Sequence, residues 1–200
     1  MNLVGIVGTN SERSTNRKLL RFMAEHFAPQ AAIEVLEIKD LPAFDEPENK
    51  TAPAAVVTFS KKIAAADGVI IATPEYNHTI PAPLASALEW IAYTSRVLVN
   101  KPVMIVGCSL GALGTSRAQA HLRQILDAPE LKARVMRGTE FFLGHSEHVL
   151  DDDFNLNNPE KVAELEEHFT EFQDFVTITN QIVKQADTDR KKAFVWEAGE

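Results

Sequence analysis

The 200-residue chain carries 20 Lys and Arg against 28 Asp and Glu, a formal charge of −8, with 45% hydrophobic and 24% charged residues. This is the composition of an ordinary globular protein, which excludes the collagen-like, disordered and coiled-coil classes, and a chain this long buries roughly 70% of its unfolded surface. The net negative charge repels nucleic-acid phosphates and anionic lipid, and a single Cys allows neither an internal disulfide nor a Cys-based metal cluster. No apolar run approaches the roughly 18 residues needed to cross a bilayer, and no basic leader precedes the first apolar stretch. The expectation is a cytoplasmic protein without nucleic-acid or membrane partners.

Leu3 to Val7 is a continuous apolar run ending at Gly8, and after a polar stretch Leu19, Leu20, Met23 and Phe27 recur at helical spacing. Strand, loop and helix follow in that order, and Pro29 closes the helix. Ile33 to Ile38 alternates apolar and acidic residues, as a strand near a sheet edge does. The Pro-rich stretch Leu41 to Pro53 reads as a loop and Ala54 to Ala66 as a short helix. Val69 to Ala72, a β-branched run between Gly68 and Pro74, reads as a central strand. Pro81 to about Tyr93 is helical, Val103 to Val106 a fourth strand, Thr115 to Leu126 a helix, and Glu140 to Leu143 the fifth strand. Asn158-Pro159-Glu160 starts a last helix, with an N-cap residue, Pro at the first helical position and an acid in the first turn. Its apolar stripe is Val162, Leu165, Phe169, Phe172 and Val176. Strands alternating with helices imply right-handed crossovers and a parallel sheet covered on both faces, a three-layer α/β sandwich. The domain is expected over residues 1–185, with 186–200 as a polar tail carrying Phe194, Val195 and Trp196.

In such a sheet, ligands bind beyond the carboxyl ends of the strands. Three loops leave those ends. Gly8-Thr9-Asn10-Ser11-Glu12-Arg13-Ser14-Thr15-Asn16 offers hydroxyls, amides and the N–H groups of a helix start, which suit a phosphate ester, but it has neither the nucleoside triphosphate loop nor the G-x-G-x-x-G spacing. Thr73 to Pro81 brings an aromatic, an amide and an imidazole to one strand end. Gly107-Cys108-Ser109-Leu110-Gly111 matches G-x-S-x-G, the nucleophile elbow of α/β-hydrolases, with His145 or His148 as a possible base. The other reading of its glycines is close approach of backbone to a planar ligand. Cys108 is expected to be a filler at the core edge, not a reactive thiol.

Taken together, the three loops resemble those of the NAD(P)H-dependent FMN reductase family of flavodoxin-like proteins, which includes quinone, azo-dye and chromate reductases. The family's G-S-x-R-x-x-S-x-N corresponds to Gly8 to Asn16, with Ser11 where the family carries Arg. Its T-P-E-Y-N-x-x-x-P is present in full as Thr73 to Pro81, and its G-x-S-x-G-x-x-G-x-x-R-A-Q as Gly107 to Gln119. The resemblance implies a flavodoxin-like fold with a five-stranded parallel sheet in the order 2-1-3-4-5. It also implies that Thr9, Ser11, Ser14, Thr15 and Asn16 hold the FMN phosphate, with Arg13 or Arg17 as candidates to replace the missing Arg. Pro74, Glu75, Tyr76 and Asn77 would border the ribityl chain and ring; Ser109, Leu110, Gly111 and Gly114 would face the flavin's other edge. The implied activity is transfer of electrons from NADPH or NADH through FMN to a small acceptor such as a quinone, free flavin, azo compound or metal oxyanion. No protein residue need act as catalytic acid or base. A homodimer or dimer of dimers is expected, with Trp90 beside the subunit boundary. A serine hydrolase using Ser109 and a non-enzymatic flavodoxin-type electron carrier are the alternatives.

Overall fold

The computed structural model describes residues 1–138 and 140–186. Its strands are β1 (Asn2–Val7), β2 (Ala32–Glu37), β3 (Gly68–Ala72), β4 (Pro102–Cys108), β5 (Arg134–Val135) and β6 (Phe141–Leu143). The helices are α1 (Thr15–His26), α2 (Ala54–Ala65), α3 (Ala82–Trp90), α4 (Ser116–Leu126), α5 (Ser146–Val149) and α6 (Pro159–Ala186), and α3 runs on into a wider turn over Ile91–Ser95. All strand pairs are parallel, in the order β2-β1-β3-β4-β5, with β6 also on β4.

The expected order therefore holds, with one addition. The far edge is split: β5 pairs with β4 at Pro102 and Val103, and β6 pairs with it at Val106 to Cys108. The two short pieces share one position beside β4, and Gly138, at φ 81°, lies in the break between them. Segments of two and three residues are too short to show a period of their own, so only the second was expected.

The period of two along each strand sorts the core into two layers. Ile70, Met104 and Val106 face α1 and α6, where they meet Leu19, Leu20, Met23, Phe169, Phe172 and Val176. Val69, Ile71, Val103 and Ile105 face the other way, onto Ile63, Leu84, Leu88 and Leu122. Alternate residues of one strand thus serve opposite faces, which is why the central strands read as unbroken apolar runs. The last helix begins as expected, Asn158 Oδ1 accepting the Lys161 N–H at 3.1 Å. Its 28 residues span about 42 Å, and the stripe from Leu165 to Val176 is buried along it.

Trp90 corrects an expectation. Its indole donates to the Pro42 carbonyl at 2.9 Å and meets the Phe44 ring edge-on at 5.1 Å. Both partners lie in the Pro-rich stretch, so the indole anchors that loop from inside and presents nothing to a neighbouring subunit. The tail at 186–200, with Phe194, Val195 and Trp196, lies outside the described residues except for Ala186. Phe169 stacks on Phe27 with ring centroids 3.8 Å apart where α6 crosses α1. Phe169→Ala is expected to cost about 3–5 kcal/mol in urea unfolding, by cavity formation, without changing the folded circular dichroism spectrum.

Candidate functional site

Successive strands end at one edge of the sheet, and three loops meet there. The first is built by close approach. Gly8 donates to the Ala72 carbonyl at 2.8 Å, and a side chain at Gly8 would stand 2.7 Å from that oxygen. Thr9 then turns inward, its hydroxyl accepting the Ser11 N–H, and Ser14 caps α1 by accepting the Arg17 N–H at 3.2 Å. The N–H groups of Thr15 and Asn16, in the first turn, meet no acceptor among the described residues.

Neither candidate Arg takes the place of the missing one in a fixed pose. Arg17 forks onto Glu37 at 2.6 and 2.8 Å and donates to the Ser11 carbonyl at 2.6 Å. Bonding to Glu37 raises the guanidinium pKa further above its usual value. Arg17 is thus the brace of the loop. Arg13 is exposed and makes no ion pair with another described residue. Asn16, expected to face a phosphate, is instead 2% exposed, and both ends of its carboxamide bond to the backbone of Cys108.

In the second loop, Asn77 and His78 take φ values of 52° and 65° between Tyr76 and Thr79, whose backbones exchange two bonds of 3.0 Å. Positive φ at both central positions is the type I′ turn, which Asn favours. The turn lifts Tyr76 into solvent at 49% exposure, while Thr79 Oγ1 bonds to His121 Nδ1 of α4. Glu75, beside buried Pro74, has a side chain only 8% exposed. Its carboxylate accepts the N–H groups of Arg117 and Ala118 at 3.1 and 3.3 Å and pairs with the Arg117 guanidinium. An anion at a helix N-terminus is favourable, and here it fastens the second loop to the third.

The third loop folds on itself. Ser109 Oγ donates to the Gly111 carbonyl at 2.9 Å and accepts the Gly114 N–H at 3.1 Å. Ser109 does not take the left-handed conformation, its hydroxyl is engaged within its own loop, and His145 and His148 are exposed without a bond to it among the described residues. The hydrolase elbow is absent. Gly111 faces open space, whereas Gly114, at φ 54°, lies so close to β6 that a side chain would meet the Leu143 nitrogen at 2.7 Å. Leu110 and Leu113 stand 60% and 54% exposed. Thr115 is held left-handed at φ 69°, its hydroxyl taking the space a side chain at Gly107 would need. Buried Gln119 holds this turn, donating to the carbonyls of Gly114 and Phe141 and to Thr115 Oγ1.

A fourth segment joins the site without any forewarning in the sequence. Ser146, just past β6, donates its N–H to Ser109 O at 3.0 Å and its hydroxyl to Thr15 Oγ1 at 3.1 Å, so it ties the third loop to the first. Glu37 was also missed. Both partnerships join residues distant in sequence, and no local spacing announces them. Cys108 is buried, which pushes its thiol pKa up to about 12, and it is the expected filler.

The arrangement pairs a polar loop, with helix N–H groups lacking acceptors, with an open glycine flanked by exposed Leu110 and Leu113 and, on the neighbouring loop, Tyr76. A phosphate ester fits the first and a planar ring the second. Over residues 1–148 the chain matches the NADPH-dependent FMN reductase family. It is 54% identical over 201 residues, covering 100% of both chains, to the NADH:(hydroxy)cinnamate reductase subunit CrdA of Vibrio ruber. It is 42% identical to the NADH-dependent flavin reductase subunit 2 of Lactobacillus johnsonii, covering 88% of this chain and 97% of that one. Among solved structures it resembles FerB, a flavoenzyme NAD(P)H:(acceptor) oxidoreductase from Paracoccus denitrificans, with TM-score 0.79 and 23% identity over 89% of this chain and 98% of that one.

A fluorophosphonate probe is therefore expected to leave Ser109 unlabelled in intact-mass analysis. The elbow is missing, the resemblance of the three loops is carried through by the matches, and the chain is an oxidoreductase belonging to the NADPH-dependent FMN reductase family.

Proposed function

We propose that the protein binds FMN without a covalent link and uses it to carry electrons from NADH or NADPH to a small acceptor, a quinone, free flavin, azo compound or metal oxyanion. The observation that carries this reading is the exposure of the large apolar side chains Tyr76, Leu110 and Leu113 on the second and third strand-end loops, the latter of which leaves open space at Gly111. Large apolar side chains grouped on strand-end loops are what a planar ligand covers.

When bound, FMN supplies the redox chemistry, accepting a hydride from the nicotinamide and releasing electrons to the acceptor in a separate half-reaction. The chain's own residues bind and orient it. Ser11 and Ser14, with the N–H groups of Thr15 and Asn16 at the start of α1, hold the phosphate through neutral donors, while Thr9, turned inward, shapes the loop. Tyr76 and Asn77 flank the ring, and Ser109, Leu110 and Gly111 border its other edge. Pro74, Glu75 and Gly114 serve by shaping the loops, since Glu75 is engaged with α4 and Gly114 with β6.

A twofold homo-oligomer belongs to the same proposal, because an apolar rim of this kind is shielded when a second chain covers it. Two of the relatives are named as subunits, which supports assembly with a further polypeptide. A cytoplasmic setting suits the nicotinamide reductant, and among the described residues no helix is long and apolar enough to cross a membrane.

Acid treatment of the purified protein reconstituted with FMN is expected to release a yellow chromophore, and reciprocal plots for NADH at several acceptor concentrations are expected to be parallel. Converging plots, or no retained flavin after desalting, would count against the proposal. Ser14→Ala is expected to weaken FMN binding about fivefold, from the loss of roughly 1 kcal/mol of hydrogen bonding, as read by quenching of flavin fluorescence.

A further inference from the structure

In a parallel ladder, residues two apart on one strand turn their backbone groups toward the same neighbour. Val106 turns to β3, accepting the Thr73 N–H at 3.1 Å, so Cys108 offers its N–H and C=O to that side as well. By then β3 has ended at Ala72, and Thr73-Pro74 has led the chain away. A buried N–H and a buried C=O at the end of β4 are left without a strand.

Asn16 fills the gap. Its Oδ1 accepts the Cys108 N–H at 3.0 Å, and its Nδ2 donates to the Cys108 carbonyl at 2.9 Å. A carboxamide has the donor and acceptor of a peptide group, so Asn16 stands in for the absent residue of β3. This side chain belongs to the first turn of α1, whose N–H groups face the first loop, and its partner immediately precedes Ser109 and the third loop. In the sheet, β1 and β4 are separated by β3. Thr15 reinforces the junction, its hydroxyl accepting from Ser146 and donating to the Cys108 sulfur.

We infer that Asn16 is a positioning residue that locks the phosphate loop and the ring loop in one register across the end of β3. The inference rests on the FMN reading above and deepens it. Both half-sites depend on one buried side chain, so disturbing it disturbs the ring site as well as the phosphate site. A residue that merely touched the phosphate would leave the ring site alone.

Lumiflavin, which has the ring and no phosphate, separates these cases. Asn16→Ala and the near-isosteric Asn16→Asp, which sets an oxygen against the Cys108 carbonyl, are expected to lower lumiflavin affinity at least fivefold. Each is also expected to shift the absorbance maxima of bound FMN, whereas Ser14→Ala weakens FMN alone. Loss of FMN binding with unchanged lumiflavin affinity would overturn the inference in favour of a direct phosphate contact. Unchanged binding of both, with only a lowered melting temperature, would overturn it in favour of a purely structural role. The wild-type chain provides a second measurement that needs no variant. Inorganic phosphate, which reaches only the first loop, is expected to slow amide exchange over residues 109–114 as well as 12–16, and slowing confined to 12–16 refutes the coupling. Wild-type protein that binds neither flavin defeats the FMN reading itself, and this inference with it.

Discussion

A parallel sheet whose strands end at different heights leaves peptide groups bare at its carboxyl edge, and each must find a partner before the loops above can hold a shape. The protein meets this demand mainly with side chains. Asn16 completes the ladder for Cys108, Glu75 takes up N–H groups at the start of α4, and Arg17 gathers carbonyls of the first loop while braced on Glu37. Ser109 answers its own loop. The candidate site is therefore an arrangement of polar groups already satisfied, apart from the N–H groups that open α1.

That division of labour accounts for the relation between motif and contact. Several residues of the three sequence motifs are turned inward. Gly107 and Gly114 make room for Thr115 and β6, Gln119 secures both, and Asn16 and Glu75 join one loop to another. The outward remainder is short: hydroxyls on the first loop, Tyr76 on its turn, and Leu110, Gly111 and Leu113 on the third. A motif of this length specifies a scaffold as much as a contact surface, because a ring held between loops demands loops that do not drift.

The architecture was legible because its signals are local. Val69 to Ala72 announces a central strand by composition, Pro29 and Asn158-Pro159 mark where helices stop and start, and the stripe from Leu165 to Val176 needs only a period of 3.6. The three loops were legible as strand-end segments for the same reason. What escaped was long-range. Trp90 finds Pro42, Arg17 finds Glu37, and Asn16 finds Cys108 across 92 residues of sequence. The division of the fifth strand, with Gly138 in the break, escaped because pieces of two and three residues carry no periodicity. Partnerships made by folding leave no spacing to read, so side chains expected to face a ligand or another subunit were found tying the chain to itself.

The burial of Cys108 has a consequence for durability. Reduced flavin in contact with dissolved oxygen generates hydrogen peroxide, and peroxide attacks thiolates far faster than thiols. The chain's single sulfhydryl lies immediately before the third loop, yet burial raises its pKa and keeps the proton on sulfur. Sulfenic acid formation there would wedge an oxygen atom between β4 and the first turn of α1. By sealing that sulfur in the core, the fold spares the joint between its first and third loops from oxidation.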